Sequence, residues 1–183
     1  MTEMVEVVID SIRVSLMSQQ RIVILREIDN ERYLPIWIGT PEADSITIAL
    51  QEVEVARPLT HDLVKNIFNS LEARILRVEV VALRDDTFYG NIVAEVDGRT
   101  VNIDSRPSDA LAIAVRAHVP ILVTQSVMDT AGIIPEDDLQ EGEEDIFDAP
   151  ETGSERLSVF EDFFENMSTD EDEEENNGEE YYE

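Results

Sequence analysis

Two stretches of the chain match one another when each residue is paired with the residue 65 positions later. Each stretch has strand-like runs, then a tight polar turn, then an apolar run with helical spacing. Two copies are too few for a solenoid, so the match favours one compact domain built from two β-β-β-α units. The matched pairs are Ile36 with Val101, Ile38 with Ile103, Thr40 with Ser105, Asp44 with Asp109, and residues 46–50 with residues 111–115.

The apolar pattern predicts strands and indicates how neighbouring strands pair. Runs rich in β-branched residues are typical of strands, and Asp97-Gly98 between two such runs is a strong hairpin signal. We therefore expect an α+β fold in which internally duplicated β-β-β-α units form a mostly antiparallel sheet with packed helices. The predicted strands are residues 5–16, 21–28, 32–38, 74–83, 87–96, 99–103 and 120–123.

Three further runs have the spacing of helices. The first helix opens at Pro41, the second has Thr60 as its N-cap, and the third begins at Pro107. The first and third are apolar on more than one side, so we expect both to be well buried. The expected apolar stripe of the second helix consists of Leu63, Ile67 and Leu71, with Val64 and Phe68 beside them.

The formal net charge of -29 is concentrated near the C-terminus. Residues 136–183 contain 22 acidic residues and one basic residue, whereas residues 1–135 contain 20 acidic and 12 basic residues. Affinity for phosphates comes mainly from Lys and Arg, so this balance is unfavourable for nucleic-acid binding. We divide the chain into a domain (1–134), an acidic linker (135–153), a short amphipathic helix (154–167) and a disordered acidic C-terminal tail (168–183).

The chain has no Cys, no basic N-terminal region followed by an apolar core, and no run long enough to span a bilayer. These features predict a cytoplasmic protein with no membrane contact. We expect the amphipathic helix to dock on this domain or on a neighbouring subunit. We also expect a homo-oligomer, most simply a dimer.

Four stretches carry a family resemblance. They are residues 34–39 (LPIWIG) with Glu42 shortly after, residues 57–63 (RPLTHDL), residues 86–89 (DTFY) and residues 104–110 (DSRPSDA). Together, in this order and at this spacing, they resemble the bifunctional nuclease domain family, formerly a domain of unknown function. The resemblance covers about residues 4–134 and implies cleavage of both DNA and RNA. It brings with it no catalytic residue set that could be transferred to this chain.

Phosphodiester hydrolysis requires an activated water, stabilisation of the charge on the phosphate, and a protonated or metal-bound leaving oxygen. The chain has one Lys and two His, so paired His-x-Lys motifs and a His-Asn-His site are excluded. A Glu-x-Lys site is excluded because Leu63 and Val64 precede Lys65. These absences count against a standard nuclease centre.

The remaining candidates flank the three predicted helix starts. His61 is suited to acid–base work, Arg side chains can neutralise phosphate, and helix N-termini attract anions. If the two halves are related by pseudo-symmetry, the turns that hold Glu42 and Arg106 face one another, and Asp44 lies beside them. The catalytic candidates are Arg57, His61, Asp62, Asp104, Arg106 and Asp109, and the candidate ligands of Mg²⁺ or Mn²⁺ are Glu42, Asp104 and Asp109.

Structural interpretations of the same residues stay open. Asp62 and Asp109 have the positions of helix caps, Arg57 and Arg106 can bond carbonyls or a nearby carboxylate, and His61 can be a half-buried histidine with satisfied hydrogen bonds. Two functions are therefore carried forward. One is a divalent-metal-assisted nuclease acting on DNA and RNA, and the other is a non-catalytic, oligomeric module that binds an anionic ligand or a partner protein.

Overall fold

The computed structural model describes residues 3–15 and 20–134. Within these residues the chain forms seven strands and four helices. Among the described helices, none has the length and apolar character of a membrane-spanning segment. The strands are β1 (Met4–Val14), β2 (Arg21–Glu27), β3 (Tyr33–Ile38), β4 (Arg74–Arg84), β5 (Thr87–Val96), β6 (Arg99–Ser105) and β7 (Ile121–Thr124). The helices are α1 (Thr40–Leu50), α2 (Thr60–Ser70), α3 (Pro107–Ala117) and α4 (Gln125–Ala131).

All seven strands belong to one sheet with the order β3-β2-β1-β7-β4-β5-β6. Five of the neighbouring pairs are antiparallel, and β4 with β7 is the parallel pair. The expected α+β fold with a mostly antiparallel sheet is thereby confirmed. The strands β1–β2–β3 and β4–β5–β6 each form a meander followed by a helix, and β7 lies between the two meanders. Descent of both meanders from one duplicated unit stays a prediction.

The hairpin between β5 and β6 follows directly from the local sequence. Asp97 and Gly98 have φ values of 50° and 73°, and positive φ at both central residues is what a tight two-residue hairpin turn requires. Asp85 and Asp86 adopt φ values of 46° and 58° between β4 and β5. Both turns were expected from the residue types, since Asp and Gly tolerate this conformation better than other residues.

α3 is the central helix of the domain. It packs on β4 and β5 and is in turn contacted by α1 and α2. Eight of its residues are buried, among them three alanines that allow close approach to the sheet. Gly90 of β5 lies under the start of α3, where an added Cβ would stand 3.1 Å from backbone atoms of Ser105 and Pro107. This close approach sets where the N-terminus of α3 meets the rest of the domain.

Two expectations for α2 are wrong. Its N-cap is Leu59, in an extended conformation, and Thr60 is the first helical residue, because the backbone N–H of Leu59 is held by the side chain of Asp62. The apolar stripe expected at Leu63, Ile67 and Leu71 is exposed to solvent. Val64 and Phe68, on the adjoining face of the helix, are the residues that pack against the core. No residue of α2 is fully buried.

Other differences concern burial and element ends. α3 is buried as expected, but α1 buries only Ala43, Ser45 and Ile46 and leaves Leu50 exposed. α4 was not anticipated, because its seven residues are too few to show a helical period. The predicted linker 135–153, helix 154–167 and tail 168–183 lie outside the described residues.

Candidate functional site

The N-terminal turns of α1, α2 and α3 meet at one place on the domain. α3 begins at Pro107, where the missing N–H of proline costs nothing and its fixed φ suits a helix start. Pro41 occupies the equivalent first turn of α1. We call the five polar side chains joined there the helix-start cluster: Glu42, Ser45, His61, Arg106 and Asp109.

Arg106 links α1 to α3. Its Nη2 donates to Oε1 of Glu42 at 2.5 Å, which joins residues 64 positions apart in the chain. Its Nε donates to Oδ2 of Asp109 at 2.7 Å, and its Nη2 also donates to Oδ1 of Asp109 at 3.0 Å. The side chain of Arg106 is nevertheless 66% exposed, so a charged donor group is presented at the surface. The expectation that the Glu42 and Arg106 turns face one another is confirmed.

Gly39 explains the position of the Glu42 carboxylate. Gly39 is the N-cap of α1, and an added Cβ there would collide with Oε2 of Glu42. The backbone of Gly39 has φ of -70°, which any residue can adopt, so space is what this position demands. The glycine of the LPIWIG stretch thus leaves room for a carboxylate that reaches Arg106.

His61 connects all three helices. Its Nδ1 lies 2.8 Å from Oγ of Ser45 on α1, and its Nε2 lies 3.2 Å from Oδ1 of Asp109 on α3. An ionised carboxylate accepts but cannot donate a proton, so we assign the Nε2 proton to His61. In the neutral ring, Nδ1 then accepts the hydroxyl proton of Ser45. The result is a Ser–His–Asp chain of hydrogen bonds in which the serine residue is 7% exposed.

Asp109 remains ionised in these surroundings. Burial opposes its ionisation, but the hydrogen bonds from Arg106 and from His61 outweigh burial and lower the pKa of the Asp109 carboxyl. The same pairing works in the other direction, since Asp109 and Glu42 raise the pKa of Arg106 above its usual value. The Asp109 carboxylate therefore faces a permanent cation at neutral pH.

A second ion pair lies deeper, beneath α1 and α2. Arg116 of α3 has a side chain that is only 5% exposed, and its Nε donates to Oδ1 of Asp62 at 2.6 Å. Its other two nitrogens donate to the carbonyls of Ala112 and Ser45 at 2.8 and 3.0 Å. Burial raises the pKa of Asp62, but the Leu59 N–H and Arg116 more than offset this, so the net shift is downward. Asp62 thus acts as a helix-capping and ion-pairing residue.

Two sequence candidates lie apart from the cluster. Arg57 is exposed in the segment between α1 and α2, and Asp104 is exposed on the edge strand β6. In residues 3–15 and 20–134, neither is hydrogen-bonded or ion-paired to the cluster. The structure therefore brings together His61, Arg106, Asp109 and Glu42, and joins Asp62 to Arg116.

The expected Mg²⁺ or Mn²⁺ site requires several carboxylates around one point. Within the described part of the chain, no group of three or more His, Cys, Asp or Glu side chains is placed to hold a metal ion. Glu42 and Asp109 are already bonded to Arg106, and Asp104 lies apart from both. The residues present do not fit a divalent ion.

A cleft of about 170 Å³ lies between the later turns of α1 and α3. Its lining combines five apolar residues with Glu52, Asp62, Arg116 and His118. His118 is the C-cap of α3 in the left-handed conformation, with φ of 53°, so its backbone ends the helix. This cleft is distinct from the exposed face of Arg106.

Sequence reasoning missed Ser45, Arg116 and the role of Gly39. Arg116 had a usable signal, because a cation inside an apolar helix needs a buried partner. Ser45 had none, since a single serine in a helical run is usually exposed or bonded to its own helix. Its contact with His61 depends on how α1 and α2 pack.

Comparisons with known proteins extend this description. The model of the bifunctional nuclease domain matches residues 23–136, a range that contains every residue of the helix-start cluster. An uncharacterized protein of Mycobacterium tuberculosis is 40% identical over 136 residues, which cover 74% of this chain and 81% of that protein. Bifunctional nuclease 1 of Oryza sativa subsp. japonica is 26% identical over 115 residues, 61% of this chain and 35% of that protein. Bifunctional nuclease 2 of Arabidopsis thaliana is 30% identical over 95 residues, 50% of this chain and 29% of that protein.

Proposed function

The chain belongs to the bifunctional nuclease domain family, and we propose on that premise that it hydrolyses phosphodiester bonds of DNA and RNA at the helix-start cluster. The observation that carries this assignment is the exposed guanidinium of Arg106, bonded to Asp109, which is in turn bonded to His61. A cation and an imidazole within one hydrogen-bonded unit supply two of the functions that hydrolysis needs.

Arg106 is suited to contact phosphate. Its Nη1 has no hydrogen-bond partner among residues 3–15 and 20–134, and a guanidinium donor forms strong, directional bonds with phosphate oxygens. The N-terminal turns of three helices add positive potential at the same place. These features offset part of the net negative charge of the domain.

His61 is the acid–base candidate. Both ring nitrogens are engaged, so a substrate group must replace one partner before the ring can exchange a proton with it. The Asp109 side chain is 29% exposed whereas Ser45 is 7% exposed, so a substrate reaches Nε2 of His61 more easily than Nδ1. Ser45 then keeps the ring in place while Nε2 faces the substrate.

A specific observation also favours the second candidate function. Arg106 is bonded to two carboxylates, and the domain has more acidic than basic residues. Both features weaken the attraction of this site for a polyanionic substrate, which favours a non-catalytic module that binds a partner protein. The two functions are distinguished by whether the protein cleaves DNA or RNA.

Cleavage assays with matched histidine variants test the proposal. Purified protein is incubated with labelled single-stranded DNA and RNA, with Mg²⁺, with Mn²⁺ or with EDTA. His61→Gln and Asp109→Asn are expected to lower the cleavage rate by about 10²-fold or more, whereas His118→Gln leaves it unchanged. Cleavage that survives equally in His61→Gln and His118→Gln would come from another site or from a contaminant. Tight binding without cleavage in the native protein would establish the non-catalytic function instead.

A further inference from the structure

We propose that Arg106 occupies the cation position of this site, so that a guanidinium and not a divalent ion balances Glu42 and Asp109 and faces the phosphate. This inference rests on the proposed function only in taking the helix-start cluster as the place where phosphate binds. It differs from the expectation that a divalent metal ion assists the reaction. The observation that supports it is the position of Nη2 of Arg106 between two carboxylates.

Two carboxylates from different helices converge on that atom. Oε1 of Glu42 lies 2.5 Å and Oδ1 of Asp109 lies 3.0 Å from Nη2 of Arg106. Convergence of carboxylate oxygens from separate elements is the arrangement that a hard cation requires. Here the position is filled by a side chain of the protein itself.

Neither carboxylate is free to serve a metal ion while Arg106 is in place. Oε1 of Glu42 accepts from Nη2 of Arg106, and the Glu42 side chain is only 14% exposed. Both oxygens of Asp109 accept from Arg106, and Oδ1 also faces His61. A divalent ion would therefore have to displace the guanidinium.

Competition between the Arg106 guanidinium and a divalent ion for the same two carboxylates has a measurable consequence. Removing the Arg106 guanidinium leaves Glu42 and Asp109 as two unbalanced negative charges that face a common point, and a divalent ion becomes the group that restores balance. The native protein should gain little stability from the ion, whereas Arg106→Gln should gain more.

Thermal unfolding of the full chain tests the competition. Melting temperatures are compared with and without millimolar Mg²⁺ or Mn²⁺ at constant ionic strength for the native protein, Arg106→Gln and Arg99→Gln. Arg99 is an exposed arginine of β6, so its variant removes the same charge away from the cluster and controls for binding by the acidic residues of the chain. We expect the ion to raise the Tm of Arg106→Gln by about 2–4 °C more than that of Arg99→Gln. Equal rises in the two variants would overturn the inference.

Binding of nucleic acid provides the second measurement. Fluorescence anisotropy with a labelled single-stranded oligonucleotide is carried out in EDTA and in Mg²⁺. We expect the native protein to bind equally well in both, Arg106→Gln to bind about tenfold more weakly, and Arg106→Lys to bind with intermediate affinity. Loss of native binding in EDTA, or native affinity in Arg106→Gln, would contradict the proposal.

Neither readout depends on strand cleavage. Absence of cleavage in every buffer would remove the proposed hydrolase function while the Tm and binding results still decide the role of Arg106. Cleavage that requires a divalent ion, together with equal Tm rises in the two variants, would leave the nuclease function standing and remove this inference alone.

Discussion

The carboxylate of Glu42 occupies the space that a side chain at Gly39 would need, and from that position it bonds to Arg106. A steric change at Gly39 should therefore act on the ion pair without altering any charge. This relationship connects a glycine of the LPIWIG stretch to the arginine that caps the start of α3.

Gly39→Ala should lower the free energy of unfolding by about 1 kcal/mol, because the added methyl group displaces the Glu42 carboxylate. In a Glu42→Ala background the same change should cost close to nothing, since no carboxylate remains to be displaced. Urea unfolding of the four proteins in this double-mutant cycle measures the coupling. Equal costs in both backgrounds would show that Gly39 acts through its backbone instead.

Ser45→Ala should lower the free energy of unfolding by about 1 kcal/mol, because Nδ1 of His61 loses its partner inside the domain. Ser70→Ala, at the exposed end of α2, is the control and should change stability by less than about 0.5 kcal/mol. Chemical denaturation measures both, and NMR of the His61 ring should show a change in the Ser45 variant only. A Ser45→Ala protein as stable as Ser70→Ala, with an unchanged His61 spectrum, would argue against the hydrogen bond.

Arg116→Ala should be the most damaging single change among these, with a loss of about 3 kcal/mol, because Oδ1 of Asp62 and two carbonyls lose the Arg116 donor beneath the helices. Arg74→Ala breaks an exposed ion pair with Glu95 and should cost less than about 1 kcal/mol. The two variants compare the effect of losing a buried ion pair with that of losing an exposed ion pair in the same protein. Similar losses in the two variants, measured by denaturant titration, would refute the assigned burial of Arg116.

Stability should fall on acidification in a way that depends on Asp109. Its folded-state pKa is lowered by Arg106 and His61 against the effect of burial, so it binds a proton less readily in the folded than in the unfolded state. The contribution of Asp109 is complete above the unfolded-state pKa of about 4 and is lost as the pH falls through the lower folded-state value. Unfolding free energies measured across this range should decline more steeply for the native protein than for Asp109→Asn. Parallel curves would show that the carboxyl is not perturbed by folding.

Much of the fold could be predicted from local patterns. Alternating β-branched runs identified seven strands within a few residues, and Asp97-Gly98 identified a hairpin, because these signals arise from the pleat and from backbone sterics. Pro41 and Pro107 lie in the first turns of their helices as expected. The stripe of α2 was wrong because periodicity shows that a face is apolar, but cannot show which of two adjoining faces meets the sheet.

The candidate site was predictable in its membership more than in its connections. Glu42, His61, Arg106 and Asp109 were recognised from polar residues at helix starts, and the structure joins them through hydrogen bonds. Arg57 and Asp104 are an arginine and an aspartate near helix starts, as Arg106 and Asp109 are, yet they lie apart from the helix-start cluster. Their roles in catalysis, like those of the clustered residues, stay predictions.

The amino-acid sequence by itself determined, to within a few residues, where the seven strands and the three longer helices lie, which turns are tight, and that charged residues gather at helix starts. These properties depend on contacts between residues a few positions apart, so the local residue types suffice to establish them. Only the tertiary structure decided that Arg106 bonds to Glu42, that Arg116 is buried against Asp62, and that His61 lies between Ser45 and Asp109. Such pairings depend on how α1, α2 and α3 are placed on the sheet, and a charged side chain gives no local sign of which distant partner it will meet.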